Sequence, residues 1–488
     1  MLLKNTLYQL YGRISSLIFG LASVPTFLHF LGSEAYGVVG LYLSLIALTG
    51  LVDMGAPVSA NRQISILLAQ KAPILQISKT VRSLEVFIWT VSAMLLIGLA
   101  LSADYLASEW LNMVLLSVEE VSSALTLAAF AIALRFPVAF YNNCLFALNR
   151  HAPANVVISI AALFRFLFPV LLFSFFSPSL VLFFYSQILA SVLEVLLCAK
   201  LVWRDKMRFF CGLASLEALR PVRKMMGSLT GLSLTAIAMS QLDKIVLSRI
   251  VTLDVFGVYS ASYSIAMGLL PIAYSIGNAS FPEIVKYNAS DRAHDFQKLL
   301  RKSLILIIIL TTPIVSCFVF YSSELIGFAE NFTDHGVLLL TYLALLTVGA
   351  FVQCWGVTLH GALIAQGKLT GLFIANVLTL LIFAFVYVFL AYSHGVMGVC
   401  YAFIALNLWI FGIQVYLILS DGVFKEIWVG ELRFAAKYLI ISLTSYYALT
   451  LLIPNFNNSM VQMAFMLSLF GMLTAMQLLF HFGYFKWR

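Results

Sequence analysis

Eight charged side chains stand where charge is costly. Arg13, Arg135, Arg165, Lys244 and Arg249, with the acids Asp53, Glu194 and Asp243, all fall inside long apolar runs of a 488-residue chain. A charge inside such a run needs a partner, water, or an escape to the interface. Arg249 closes its run and can snorkel outward. Arg135 and Arg165 cannot, since each stands eleven or more residues from either end of its run, roughly 16 Å at the helical rise. Two chemistries remain for them. They pair with the intramembrane acids, or they line a hydrated cavity and take an anion through charge-assisted hydrogen bonds to their guanidinium forks. Asn142, one heptad from Arg135 and on its face, extends a polar stripe that suits the second chemistry. Gln241 and Lys244 are the polar candidates of the seventh run, while Asp53, Glu194 and Asp243 are carboxylates suited to ion exchange in a gradient-driven cycle. Asp243 adjoins Lys244, but neighbours on a helix project about 100° apart.

The N-terminal helix shows what must position such groups. Gln9, Arg13, Ser16, Gly20 and Ser23 recur at spacings of three and four, so polar and small residues share one face while Leu, Ile, Phe and Val cover the rest. That stripe turns toward protein or water, either as a cavity lining or as a close-packed seam. The turn LGSEAYG then leads into a second helix carrying Asp53. Prolines at 25, 57, 137, 169, 271 and 313 fall inside runs. Each removes the hydrogen bond to the carbonyl four residues back, which for Pro57 is Asp53 and for Pro169 is Arg165, so bends coincide with charges.

With 62% hydrophobic and 10% charged residues and a mean hydropathy of +0.99, the chain is expected to be an all-α polytopic membrane protein. Short polar breaks divide it into about fourteen runs between residues 6 and 482, each near the roughly 20 residues a spanning helix needs. The weakest divisions are Ser177-Pro178-Ser179 and Ser393-His394-Gly395. The first run is too long for the core of a cleaved signal and is expected to stay as helix one. With loops numbered alternately, one set holds 24 of the 29 Lys and Arg and the other none, which predicts both termini in the cytoplasm and an even number of spans. The net charge of +8 is this bias, so no nucleic-acid partner is expected. The six cysteines show neither metal-ligand spacing nor a disulfide framework, and no metal or cofactor is expected. The longest external loop, about 104–120, is short and acidic. His29 and His394, near outer helix ends, are expected to be interfacial or structural, so the reading is a non-enzyme.

The segment LGSEAYGVVG at 31–40 returns as VTLDVFGVYS at 251–260, matching Glu34 with Asp254, Tyr36 with Phe256, Gly37 with Gly257 and Val38 with Val258. ALNR at 147–150 returns as AQGK at 365–368 at nearly the same offset. The repeat predicts two six-helix lobes, 1–202 and 228–420, joined by a basic cytoplasmic linker, 203–227, and followed by two further transmembrane helices in 421–488. The linker reads equally as an amphipathic segment on anionic lipid.

The motif FLGSEAYGVVGLYLSL…LVDMGAPVSANRQIS, with the segments near 147–150 and 365–368, resembles the bacterial polysaccharide flippases. These are Wzx-type oligosaccharide-lipid transporters of the superfamily that includes multidrug extruders and the lipid II flippase. The resemblance implies two lobes in a V-shaped arrangement in the bacterial inner membrane. It also implies alternating access that moves an undecaprenyl-pyrophosphate-linked oligosaccharide to the outer leaflet, with a polysaccharide polymerase and a chain-length regulator as further partners beside membrane lipid. Fourteen runs exceed the twelve commonly drawn for Wzx-type members and are closer to the lipid II branch. Under this reading Arg13, Arg135, Arg165, Lys244, Asn142, Gln9 and Gln241 line the lumen for the pyrophosphate. Cation efflux is the alternative within the superfamily, though a cation exporter would more naturally carry carboxylates on its first helix, which here carries Arg13. A polytopic polysaccharide polymerase or ligase would need the external loop that this chain lacks.

Overall fold

The computed structural model describes residues 2–53, 55–204, 214–215, 234–289, 293–420, 425–450, 465 and 468–477, with side chains from Ser15 onward. Among these residues the regular secondary structure is helical, joined by short turns and loops, apart from one isolated bridge between Asn112 and Thr252. Nine of the described helices are long and apolar enough to cross a membrane, with Ser15–Leu31 a shorter apolar stretch. The protein is an all-α polytopic membrane protein. Two compact units, Met1–Ser260 and Ala261–Arg488, divide the chain.

In the first unit, α1 (Leu2–Leu31) packs on α6 (His151–Phe175). Helix α2 (Ser33–Val52) ends at Asp53, and α3 (Ala56–Ala69) restarts from Gly55 in the left-handed region, φ 67°. The run read as one span is therefore broken. Gly55 tolerates the turn, and Pro57 sits in the first turn of α3 rather than inside a helix, where its missing N–H costs nothing. Pro271 follows the 3-10 turn Met267–Leu269, at the start of α10 (Leu270–Ala289) but inside one apolar span, Leu253–Tyr287, and Pro25, Pro137, Pro169 and Pro313 are interior to single helices. Helix α4 (Ile74–Tyr105) begins about nine residues before the apolar run. Hydropathy marks only the lipid-crossing part of a helix that continues with a charged end.

The centre of the unit is α5 (Val118–Ala147), which packs on α2, α3, α4 and α7 (Leu180–Val202). Its buried Ala124, Ala128, Ala129 and Ala131 let those backbones approach closely. Helix α6 ends before Phe176 and α7 starts at the cap Ser179, whose hydroxyl accepts from the Leu182 N–H, so the short break at 177–179 separates two helices. The two copies of the sequence repeat meet where α9 (Leu253–Ala266), which follows α8 (residues 234–250), crosses α2. The Ser33 hydroxyl donates to Asp254 there. A Cβ on Gly257 would overlap the Ser33 carbonyl and stand 2.9 Å from the Gly37 nitrogen, so the matched glycines are what allows the crossing.

In the second unit, α10 packs on α11 (Ala293–Phe320) and α13 (Gly336–Ala365), with the short α12 (Ser322–Ala329) between them in sequence. Helix α14 (Leu369–Ser420) contains Gly395 at φ 59°, ψ −140°. Lys368 reaches the Leu417 carbonyl and Trp409 Nε1 donates to Thr379 Oγ1 at 3.1 Å. The chain therefore doubles back at Gly395, forming two antiparallel helices across the second weak division. Helix α15 (Lys425–Thr450) is pinned to α11 by Arg301, whose Nε and Nη2 meet the two oxygens of buried Glu431 at 2.8 and 2.7 Å. A last described helix covers 468–477.

Candidate substrate cavity

Helices α1, α2, α5, α6 and α7 line a half-open cavity of about 260 Å³ in the first unit. Ser16, Gly20 and Ser23, the small polar stripe of α1, line it together with Tyr42, Arg135, Arg165, Gln187 and Glu194. Phe19, Phe27, Phe166 and Phe183 complete the wall. The cavity thus holds two guanidinium groups against one carboxylate inside an apolar shell.

The two arginines are held differently. Arg165 Nη2 stands 2.5 Å from Glu194 Oε2, the side chains being 15% and 6% exposed. Pro169 leaves the Arg165 carbonyl without its helical donor, and Gln187 Nε2 supplies one at 3.3 Å. Arg165 Nε is buried with no hydrogen-bond partner. Arg135, half-buried on α5, has no ion pair among the described residues; the charge it feels first is Arg165, and the Tyr42 hydroxyl is its neutral neighbour. Two cations sharing a low-dielectric cavity repel, and an anion bound there relieves that repulsion.

The other candidates are placed elsewhere. Side chains of Gln9 and Arg13 lie outside the described residues. Asn142 Oδ1 faces the Cys198 thiol at 3.6 Å, beyond this cavity. Lys244 curls back on its flexible stem, so Nζ meets Asp243 Oδ2 at 3.0 Å and Oδ1 at 3.1 Å despite the 100° between their Cβ directions. Tyr259 donates to Asp243 Oδ2 at 2.6 Å, and the cluster is buried. Gln241 on the same helix is buried with Oε1 unpartnered. Asp53 closes the broken helix: its Oδ1 accepts the Gly55 N–H at 2.8 Å, and its carbonyl, deprived of a donor by Pro57, takes the Ala56 N–H at 2.8 Å. Arg249 reaches the Glu109 carbonyl and lies 5.9 Å from the Trp110 ring centroid, at an exposed end.

Some polar groups escape sequence reasoning. Glu34 accepts the Val114 and Leu115 N–H groups at 2.5 and 2.8 Å, tying α2 to the 106–117 segment. Glu85, 5% exposed, takes Tyr141 at 2.6 Å, Trp203 at 3.0 Å and Arg82 at 2.6 Å. Both are single carboxylates near run ends, where an acid ordinarily signals solvent. Gln187 had a readable cue, the carbonyl orphaned by Pro169.

Solved transporters share this architecture. The chain aligns with the lipid II flippase MurJ in an inward closed conformation, TM-score 0.71 at 14% identity over 99% of both chains. It also aligns with an inward-facing multidrug resistance MATE family transporter of the MOP superfamily, TM-score 0.68 at 12% identity over 88% of this chain and 95% of that one. Likeness at such identity defines the fold. Residues 2–288 match the family described as polysaccharide biosynthesis protein, and the chain belongs to that family. A candidate O-antigen transporter of Shigella flexneri is 24% identical over 382 residues, 75% of this chain and 85% of that protein.

Proposed function

We propose that the protein is a flippase for an undecaprenyl-pyrophosphate-linked oligosaccharide, carrying it from the cytoplasmic to the outer leaflet by alternating access with both termini in the cytoplasm. The observation that carries the reading is the cavity in which Arg135 and Arg165 face a single carboxylate. Guanidinium forks match phosphate oxygens in geometry and charge, while a cation exporter would leave those charges uncompensated beside its cargo. The family match and the relative named for O-antigen transport support the same class of cargo. Lys244 and Gln241 remain lumen candidates in a transporting conformation, and a polymerase and a chain-length regulator are the expected partners downstream. Ion coupling would fall first to Asp53, because Glu194 and Asp243 are each engaged by a cation and Asp53 by a backbone N–H alone.

Complementation tests the reading, with surface polysaccharide and membrane abundance measured together. Arg135→Lys keeps charge without the planar fork and is expected to impair export; Arg135→Ala is expected to abolish it at normal abundance. Normal export by a well-expressed Arg135→Ala, Arg165→Ala double variant excludes the anion site.

A further inference from the structure

The second unit contains a cavity of different chemistry, about 250 Å³ between α10 and α13. From α10 it is lined by Tyr274, Asn278 and Phe281, positions i, i+4 and i+7 of one helical face. From α13 come Thr358 and His360. Its lining contains no Asp, Glu, Lys or Arg. The helices close on it through glycine: a Cβ on Gly277 would stand 2.9 Å from Val357 Cγ1.

Thr358 carries the argument. A threonine within a helix ordinarily returns its hydroxyl to the carbonyl four residues back, and Thr341 and Thr347 on the same helix do so at 2.7 and 2.6 Å. Thr358 does not. Its Oγ1 has no hydrogen-bond partner although the residue is 1% exposed, a costly state for a buried hydroxyl. Among the described residues, the half-buried His360 ring has no protein hydrogen bond, and the exposed Asn278 amide on the cavity wall is likewise left open to a ligand. Uncharged donors and acceptors held unmade beside two aromatic rings suit a ligand with hydroxyls at its edges and C–H groups on its faces. An acyl chain would leave every one of those polar groups unpaired.

We infer that the α10–α13 cavity is a subsite for a neutral pyranose of the cargo oligosaccharide, with Tyr274 and Phe281 contacting the ring's faces and Thr358, Asn278 and His360 its hydroxyls. The inference rests on the flippase reading and adds a division of labour: the first unit takes the charged pyrophosphate and the second the neutral sugar. A cavity below the roughly 300–1,000 Å³ of drug-sized sites admits a sugar unit rather than a whole lipid-linked chain.

The test uses the full chain in nanodiscs with neutral methyl glycosides (gluco, galacto, manno and rhamno) as probes, read by saturation-transfer NMR. At least one glycoside is expected to bind wild type. Thr358→Val is expected to weaken it about tenfold, the size expected for losing a buried hydrogen bond, and Asn278→Leu, at an exposed position, about threefold. Thr358→Val also removes an unpaired buried hydroxyl, so the ligand-free melting temperature is expected to hold or rise, which separates lost binding from lost folding. No glycoside binding to wild type, or equal binding by the Thr358→Val, Asn278→Leu double variant, overturns the proposal. So does displacement of the glycoside by an alkane probe such as dodecane, which would assign the cavity to acyl chains. Binding of sugar-free undecaprenyl pyrophosphate, and its dependence on Arg135, is scored separately; its loss counts against the flippase reading while the glycoside results decide the subsite.

Discussion

Arg165 and Arg135 share a cavity, yet removing them should fail in different ways. Arg165 and Glu194 form a buried pair, 15% and 6% exposed at 2.5 Å. Deleting one partner strands the other charge in low dielectric, which costs about 3–5 kcal/mol. At about 1.4 kcal/mol per factor of ten, the lower figure raises the unfolded fraction more than a hundredfold. That is a large share of the roughly 5–15 kcal/mol that holds a typical domain. Arg165→Met should therefore lower membrane abundance and thermal stability in detergent, and Arg165→Met with Glu194→Leu should recover most of both, because two apolar side chains replace a pair whose desolvation offsets its attraction. Arg135 has no such partner, so Arg135→Met should leave abundance near wild type. The assay is fluorescence-detected size exclusion after a heating series on the three variants, beside surface polysaccharide. Wild-type stability for Arg165→Met alone, or a double variant no better than the single, would refute the pairing argument.

Three further outcomes follow from the geometry. Gly257→Val should destabilise by about 1–3 kcal/mol through overpacking, because the new side chain meets the backbone of Ser33 and Gly37; Gly98→Ala, where nothing lies within 4 Å, should be neutral or stabilising by up to about 1 kcal/mol; chemical denaturation of the purified variants measures both. Leu115→Cys, at a position 86% exposed, should react with an impermeant maleimide from outside while exposed Lys200→Cys should not, in a background with Cys211 replaced; the reverse pattern would invert the topology. Asp53→Asn should uncouple transport in vesicles from an imposed proton or sodium gradient; transport that ignores both gradients in the wild type removes the ion-coupling reading.

Composition and local chemistry were enough to read a polytopic helical protein, to divide it near Pro178 and Gly395, and to single out Arg135 and Arg165 as too deep for interface. Those features depend on the transfer cost of each residue and on backbone rules that act within a few residues, so they are written along the chain. Even the orphaned carbonyls of Asp53 and Arg165 follow from proline four positions on. What fills them does not. Glu194 and Gln187 reach Arg165 from another helix, Tyr259 joins Asp243 from the next, and Ser33 finds Asp254 across 221 positions. Partner choice of this kind depends on how each helix is rotated about its own axis and how closely glycine and alanine let it approach its neighbour, and hydropathy is blind to both. The same blindness hid the α10–α13 cavity, whose Thr358, Asn278 and His360 are uncharged residues in apolar runs, given meaning only when packing denies the Thr358 hydroxyl a partner and sets the other two on the same cavity wall.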